Sequence, residues 1–159
     1  MTEPTANRRV VEAFVEAINA QDWDSLASII APGFVRHSYA AGAPGVRSRA
    51  DFFQYLRSEY ETFPDARETI EDILVDGHRV AVRHRFTGTQ AGRMGSYPPS
   101  GKSMTAEYIA IYRLEGSVIV ESWAEWDNLS GLVKLGHHPS AAQPVDAPDP
   151  LRRTGDRER

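Results

Sequence analysis

The stretch Val118–Asp127, VIVESWAEWD, gathers side chains able to move protons. Read as a β-strand, Glu121, Trp123, Glu125 and Asp127 stand at i, i+2, i+4 and i+6 and share one face. A strand face with that many carboxylates either looks at water or lines a pocket. Large aromatic rings beside an acid supply the dry wall that shifts its pKa, which favours the pocket. A competing role exists for Asp127, because Asp127-Asn128-Leu129 also reads as the cap of a closing helical turn.

Other residues could face such a pocket. His37 carries an imidazole, which titrates near neutral pH and suits proton transfer. Arg83, His84 and Arg85 alternate across a strand, so either the two arginines point inward or His84 does; Val82 and Phe86 share the face of His84. An inward arginine would bind a carboxylate or enolate. Tyr108 could donate a hydrogen bond to a substrate carbonyl. Trp123, Trp126, Phe14 and Phe34 read as core or pocket wall, with Trp123 and Phe14 placed against substrate. No metal site is expected: the five histidines are scattered, and the pair His137-His138 lacks further ligands. Neither a Gly-rich dinucleotide turn nor a P-loop occurs, so no cofactor is expected either.

Composition bounds the class. With 159 residues, 41% of them hydrophobic, the chain can bury one real core. A net charge of −4 argues against a nucleic-acid partner. Without cysteine there is no disulfide or thiolate chemistry, which fits a cytoplasmic protein. MTEPTANRR lacks an apolar signal core and no long apolar run follows, so neither secretion nor membrane insertion is expected.

The elements that must position these groups follow in order. Residues 5–20 read as an amphipathic helix with Val10, Val11, Phe14, Val15 and Ile18 on one face. QDWDSLASII restarts as a shorter helix capped by Asp22 or Asp24, and Phe34–His37 is a short strand. Residues 38–47 read as an irregular loop. Ser48-Arg49-Ala50-Asp51 has capping-box spacing and opens a third helix through Phe52, Phe53, Leu56 and Tyr60. Four strands follow, at Thr69–Val75, Val80–Thr87, Ser103–Leu114 and Val118–Asp127, with Asp76-Gly77 and Glu115-Gly116 as turns and 92–101 as a loop. From His137 onward four prolines and few large apolar residues predict a disordered tail, so residues 1–136 form the domain and 137–159 the tail. Three helices and then a four-strand meander predict an α+β fold, the helices on one face of a curved antiparallel sheet.

Three segments carry a family resemblance. GSVIVESWAEWDNLSGLVKLG resembles the C-terminal signature of the SnoaL-like polyketide cyclases. VVEAFVEAINAQDWDSLASIIAPGFVRH resembles their opening helices and first strand, and FTGTQAGRMGSYPPSGKSMTAEYIAIYRLEGSVI their central segment. Together these cover roughly residues 8–136. The resemblance implies the cone-shaped α+β fold of the nuclear-transport-factor-2-like superfamily, and dimers formed through the outer face of the sheet. It implies cofactor-independent acid/base chemistry on a small hydrophobic, carbonyl-bearing molecule, with intramolecular aldol-type ring closure as the specific reaction. In the cyclases the acid/base carboxylate closes a W-x-x-x-D pattern; Trp123 and Asp127 match it, making Asp127 the first catalytic candidate. His37 lies near the general-base position of the related ketosteroid isomerase. Glu125 resembles the acid of limonene epoxide hydrolase, W-x-D, although no carboxylate follows Arg83 or Arg85 at that enzyme's Arg-x-Asp spacing. Epoxide opening by Glu125 and Asp127, and small-ligand binding without catalysis, are the two alternatives.

Overall fold

The computed structural model describes residues 3–38 and 45–139, with side chains from Thr5. Helix α1 (Glu3–Ala20) forms where apolar residues recur at helical spacing, and Val11, Phe14, Val15 and Ile18 are buried on its inner face. It ends at Gln21, whose φ of 53° lets Asp22 N–H reach back to the Ala17 carbonyl at 2.9 Å. Asp22 then caps α2 (Trp23–Ile29) by accepting from Ser25 N–H at 3.0 Å. The chain passes directly into β1 (Ile30–Ser38), longer than the short strand expected. The expected loop at 38–47 lies mostly outside the described residues.

Ser48 caps α3 (Arg49–Thr62), accepting from Asp51 N–H at 3.1 Å. The reciprocal half of the box slips one residue, since Asp51 accepts from Arg47 N–H rather than from Ser48. Strands β2 (Arg67–Asp76), β3 (Arg79–Thr89), β4 (Ser103–Glu115) and β5 (Val118–Trp126) follow, and α4 (Asn128–Lys134) closes the fold. Gly77 and Gly116 take positive φ at the two hairpin turns, a backbone state open to glycine.

The sheet corrects one expectation. Its order is β1-β5-β4-β3-β2, and β1 pairs with β5 in parallel, so the sheet is mixed rather than antiparallel. The meander β2 to β5 is as expected; the first strand returns to its open edge. A bulge at Val120 resets the alternation of β5, because Arg113 pairs with Glu121 while Leu114 pairs with Ile119. Beyond it Ser122, Ala124 and Trp126 point to the inner face, where α1 and α3 pack.

Two asparagines clip α1 to the sheet. Asn7 donates to the Gly77 carbonyl at 2.9 Å, at the far turn of the β2–β3 hairpin. Asn19 exchanges two 2.8 Å hydrogen bonds with the backbone of Glu68, at the start of β2.

The β3–β4 connection is organised by Gln90, which is fully buried. Its amide donates to the Gly92 and Pro98 carbonyls at 3.2 and 3.0 Å, and its Oε1 pairs with His137 Nε2 at 2.6 Å. Since Oε1 can only accept, His137 carries the proton on Nε2. His137 was expected to begin the tail; it docks instead on Gln90 and packs its ring 4.8 Å from that of Tyr97. Residues 140–159, the rest of the expected tail, lie outside the described residues.

Candidate active site

The inner face is laid out in rows that cross the strands. Arg36, Ser122, Tyr112 and Val80 are successive register partners on β1, β5, β4 and β3. The next row is Ser38, Ala124, Ala110 and Val82, and the one after it Trp126, Tyr108 and His84. In that third row the rings stack: Tyr108 lies 3.8 Å from Trp126 and 4.6 Å from His84, at interplanar angles of 15° and 7°. Small residues between two rows of large ones leave a trough. Phe14 and Ile18 of α1 and Phe52, Tyr55 and Glu59 of α3 roof it.

Two adjoining chambers result. The inner one, about 40 Å³, is lined by Arg36, Tyr55, Glu59, Glu68, Tyr108 and Ser122 among others. The outer one, about 150 Å³, is mainly apolar, walled by Phe63, Phe86, Met94, Met104, Leu132 and Leu135, with Arg93 and Asp127 also lining it. Tyr55, Glu59 and Trp126 line both, so they stand at the junction. The Gln90-centred loop supplies Met94 to the outer chamber, and α4 supplies Leu132.

Glu68 is the deepest acid, 8% exposed. Tyr108 donates to its Oε2 at 2.8 Å, and His84 Nδ1 stands 3.6 Å from the same oxygen. Burial pushes its pKa up to about 8, with the charge of Glu59 adding to the rise and the Tyr108 hydrogen bond and Arg36 opposing it. His84 is 1% exposed, and burial pulls its imidazole down to about 4. Near neutral pH His84 is therefore uncharged and Glu68 holds its proton. The other nitrogen of His84 meets the Tyr112 hydroxyl at 2.9 Å. A neutral imidazole has one donor and one acceptor, so its Tyr112 and Glu68 sides have opposite hydrogen-bonding character.

Glu59 is the second acid. Tyr55 donates to it at 2.6 Å, and burial raises its pKa against the pull of that hydrogen bond and of Arg36. The Arg36 guanidinium lies 4.6 Å from the Tyr55 ring centre, over its face. Two carboxyl groups, one cation and four hydroxyls thus meet over an apolar floor. Such a set can hold, accept and deliver protons while excluding water.

The sequence-predicted residues divide between the two faces. Tyr108 and Phe14 line the inner chamber. Asp127 stands on the rim of the outer chamber, exposed, and its side chain caps α4 by accepting from Ser130 N–H at 3.0 Å. It has left the strand, which ends at Trp126. His37, Glu125, Trp123, Arg83 and Arg85 belong to the opposite face and line neither chamber. There His37 pairs with Glu121 at 2.8 Å and stacks on Trp123, with ring centres 5.3 Å apart. Both Arg83 and Arg85 bind Glu107 at 3.2 Å. Of the two orientations open for Arg83–Arg85, the structure takes the one with His84 inward.

Sequence reasoning missed Glu59, Glu68 and Arg36. The signals were faint. Glu68 shares the face of Ile70 on an alternating strand, and Glu59 stands one turn beyond Tyr55 on α3.

A five-stranded mixed sheet carrying helices on one face, with a chamber between the layers, defines the class of fold shared by the SnoaL-like and nuclear-transport-factor-2-like proteins. Residues 8–134 match the SnoaL-like polyketide cyclase family, and the chain belongs to it. Among solved structures it is similar to IdmH from Streptomyces antibioticus, with 28% identity and a TM-score of 0.73 over 82% of this chain and 98% of that one. TsrD from Streptomyces laurentii is 24% identical, with a TM-score of 0.76 over 87% of this chain and all of the other. An LEH-like epoxide hydrolase from M. tuberculosis, 17% identical with a TM-score of 0.67 over 84% and 92% of the two chains, shares the fold. Comparison with curated protein sequences finds no match.

Proposed function

We propose that this chain is an acid/base enzyme acting on a small, mainly apolar, carbonyl-bearing molecule, and that its reaction is an intramolecular aldol-type ring closure. The observation that carries this reading is the pair Glu59 and Glu68, a half-buried and a buried carboxyl group lining one chamber beside a mainly apolar cavity. Their surroundings separate their roles. Glu68, protonated near neutral pH, is the acid. Glu59, at the junction with the outer chamber, with Tyr55 donating to it and the Arg36 charge favouring its carboxylate, is the base.

The base takes a proton from carbon beside a carbonyl, and the C–H electron pair becomes the enolate. The enolate carbon attacks a second carbonyl carbon of the same molecule, forming the new C–C bond. The carbonyl π pair moves to oxygen, which takes the proton of Glu68. One proton passing from Glu59 to Glu68 restores the starting state.

Exchange of the α-protons of 1-tetralone in D₂O, followed by NMR, tests the first step without the natural substrate. Protein-catalysed exchange is expected to fall at least 100-fold in Glu59→Gln and to persist in Asp127→Asn. The reverse pattern would make Asp127, at the rim, the base. Glu68→Gln is expected to slow exchange less, since its proton is used after the first step.

We propose also that two copies associate through the outer face of the sheet. Leu74, Ala81, Ile111, Trp123 and His37 are register partners across all five strands, and the first four form an apolar row there. Leu74 is 68% exposed and Ile109, beside the row, 57%. Ile111→Asp is expected to halve the mass measured by light scattering; an unchanged mass would rule out this face.

A further inference from the structure

Arg36 is the cation of the inner chamber that no proton-transfer step has used. It stands on β1 opposite Ser122, on the inner face, and lines the same chamber as Glu59, Glu68 and Tyr108. Its backbone is fixed on both sides, by pairing with β5 and by its N–H, which donates to the Val46 carbonyl at 3.1 Å. Among the described residues its guanidinium joins no ion pair and no hydrogen bond; it rests on the Tyr55 ring face. The arginines of the outer face behave differently, since Arg83, Arg85 and Arg113 all hold carboxylates at 3.2 Å or less. A half-buried guanidinium has five N–H donors and a strong demand for acceptors. An aromatic face satisfies the charge in part and none of the donors.

We propose that Arg36 is the oxyanion seat of this site, receiving the enolate oxygen that forms when the base removes the α-proton. This rests on the acid/base reading above and adds the group that stabilises its charged intermediate. The charge balance is simple. Before the step the negative charge is on the Glu59 carboxylate; after it, the charge is on the substrate oxygen, and Glu59 is neutral. Arg36 is the counter-ion throughout, so the charge moves within the chamber without a new charge being buried. Tyr55 holds the guanidinium in place from its open face, and α3 supplies both that ring and the base.

The same guanidinium chemistry would suit a carboxylate that the ligand already carries, and the test separates the two sources. The reagent for the enolate is 2-naphthol, whose naphtholate is a planar conjugated oxyanion of the right shape; 2-naphthoate is the reagent for the carboxylate. At pH 7 the absorbance of bound 2-naphthol reports the fraction present as naphtholate. That fraction is expected to exceed the fraction in water, and its ionisation constant to drop about tenfold or more in Arg36→Met. The methionine keeps the packing on Tyr55, and Arg36→Lys, which keeps the charge, is expected to retain much of the effect. Equal ionisation of bound 2-naphthol in the wild type and Arg36→Met overturns the proposal. So does a tenfold, Arg36-dependent preference for 2-naphthoate with no change in naphthol ionisation, which would assign the seat to a ligand carboxylate. Naphthol ionisation needs no turnover. Loss of 1-tetralone exchange with an intact Arg36 effect therefore sinks the catalytic reading and leaves the seat standing.

Discussion

Tyr108 and Glu68 meet at 2.8 Å although their strands, β4 and β2, are not neighbours; β3 runs between them. Their side chains reach over the edge of His84, on whose ring Tyr108 is stacked. The phenol thus acts twice, as the middle ring of a three-ring ladder and as the donor to the deepest acid. Tyr108→Phe keeps the first role and removes the second. The expected cost is about 1–3 kcal/mol in chemical denaturation, because Glu68 loses a buried partner. The carboxyl pKa of Glu68 should rise further, since the lost hydrogen bond was holding it down. A ¹³C titration of that carboxyl moving downward, or not at all, would contradict this account of the pair.

Stability should carry the signature of Glu68 and His84. A glutamate whose pKa is about 8 when folded and 4.5 when unfolded binds more protons in the folded state between those values. Its contribution is therefore complete below pH 4.5 and is lost as pH rises through 8. His84, at about 4 folded against 6.5 unfolded, works in the other sense, its contribution present above 6.5 and lost as pH falls toward 4. The two slopes oppose one another from 4.5 to 6.5, and Glu68 acts alone from 6.5 to 8. Wild-type stability should fall over that upper window, by on the order of a few kcal/mol at most, and Glu68→Gln should flatten it. Urea titrations at a series of pH values would decide the matter; parallel curves for the two proteins would exclude the assignment.

The floor of the inner chamber depends on small side chains. Ala110 is 1% exposed and Ala124 4%, paired with each other across β4 and β5. Ala110→Leu would fill the trough between Tyr112 and Tyr108. Overpacking there is expected to cost about 1–3 kcal/mol and to abolish binding of 1-tetralone in a calorimetric titration. Undiminished affinity in a folded variant would show that ligands use the outer chamber alone.

Gln90 ties the loop wall of the outer chamber to the end of α4 through His137. Gln90→Leu removes three hydrogen bonds made by a fully buried amide, an expected loss of about 2–4 kcal/mol. Amide exchange should quicken together in residues 91–101 and in α4, while β3 and β4 stay protected. Faster exchange in the loop with α4 unchanged would show that the two walls are independent.

The elements themselves were readable because each has a local cause. The spacing of Val11, Phe14, Val15 and Ile18, the Ser48 cap and the two glycine turns act within a few residues, and the observed boundaries follow them. The parallel pairing of β1 with β5 has no local cause; it is decided by which sheet edge remains open once the meander is formed. The side chains of the site suffered more from the same limit. The carboxylates of VIVESWAEWD cluster, and clustering is what an exposed face permits. Glu59 and Glu68 stand in a stretch that also holds Glu61, Arg67, Glu71 and Asp72, so nothing local marks them, and their enclosure arises only when α1 and α3 are laid over the sheet. Alternation around His84 did narrow the choice to two orientations, and packing against Tyr108 chose between them.

The parallel pairing also bears on how the molecule comes together. Ile30 is paired with Ile119, and His37 with Trp123, so β1 has no partner strand until nearly the whole domain has been synthesised. Local hairpins can close early, but this long-range closure is entropically expensive and comes late. Arg36 rides on that strand. A nascent or partly refolded chain would therefore hold Glu68 and Tyr108 against an unfinished cavity, and the guanidinium would arrive with the last strand to be seated.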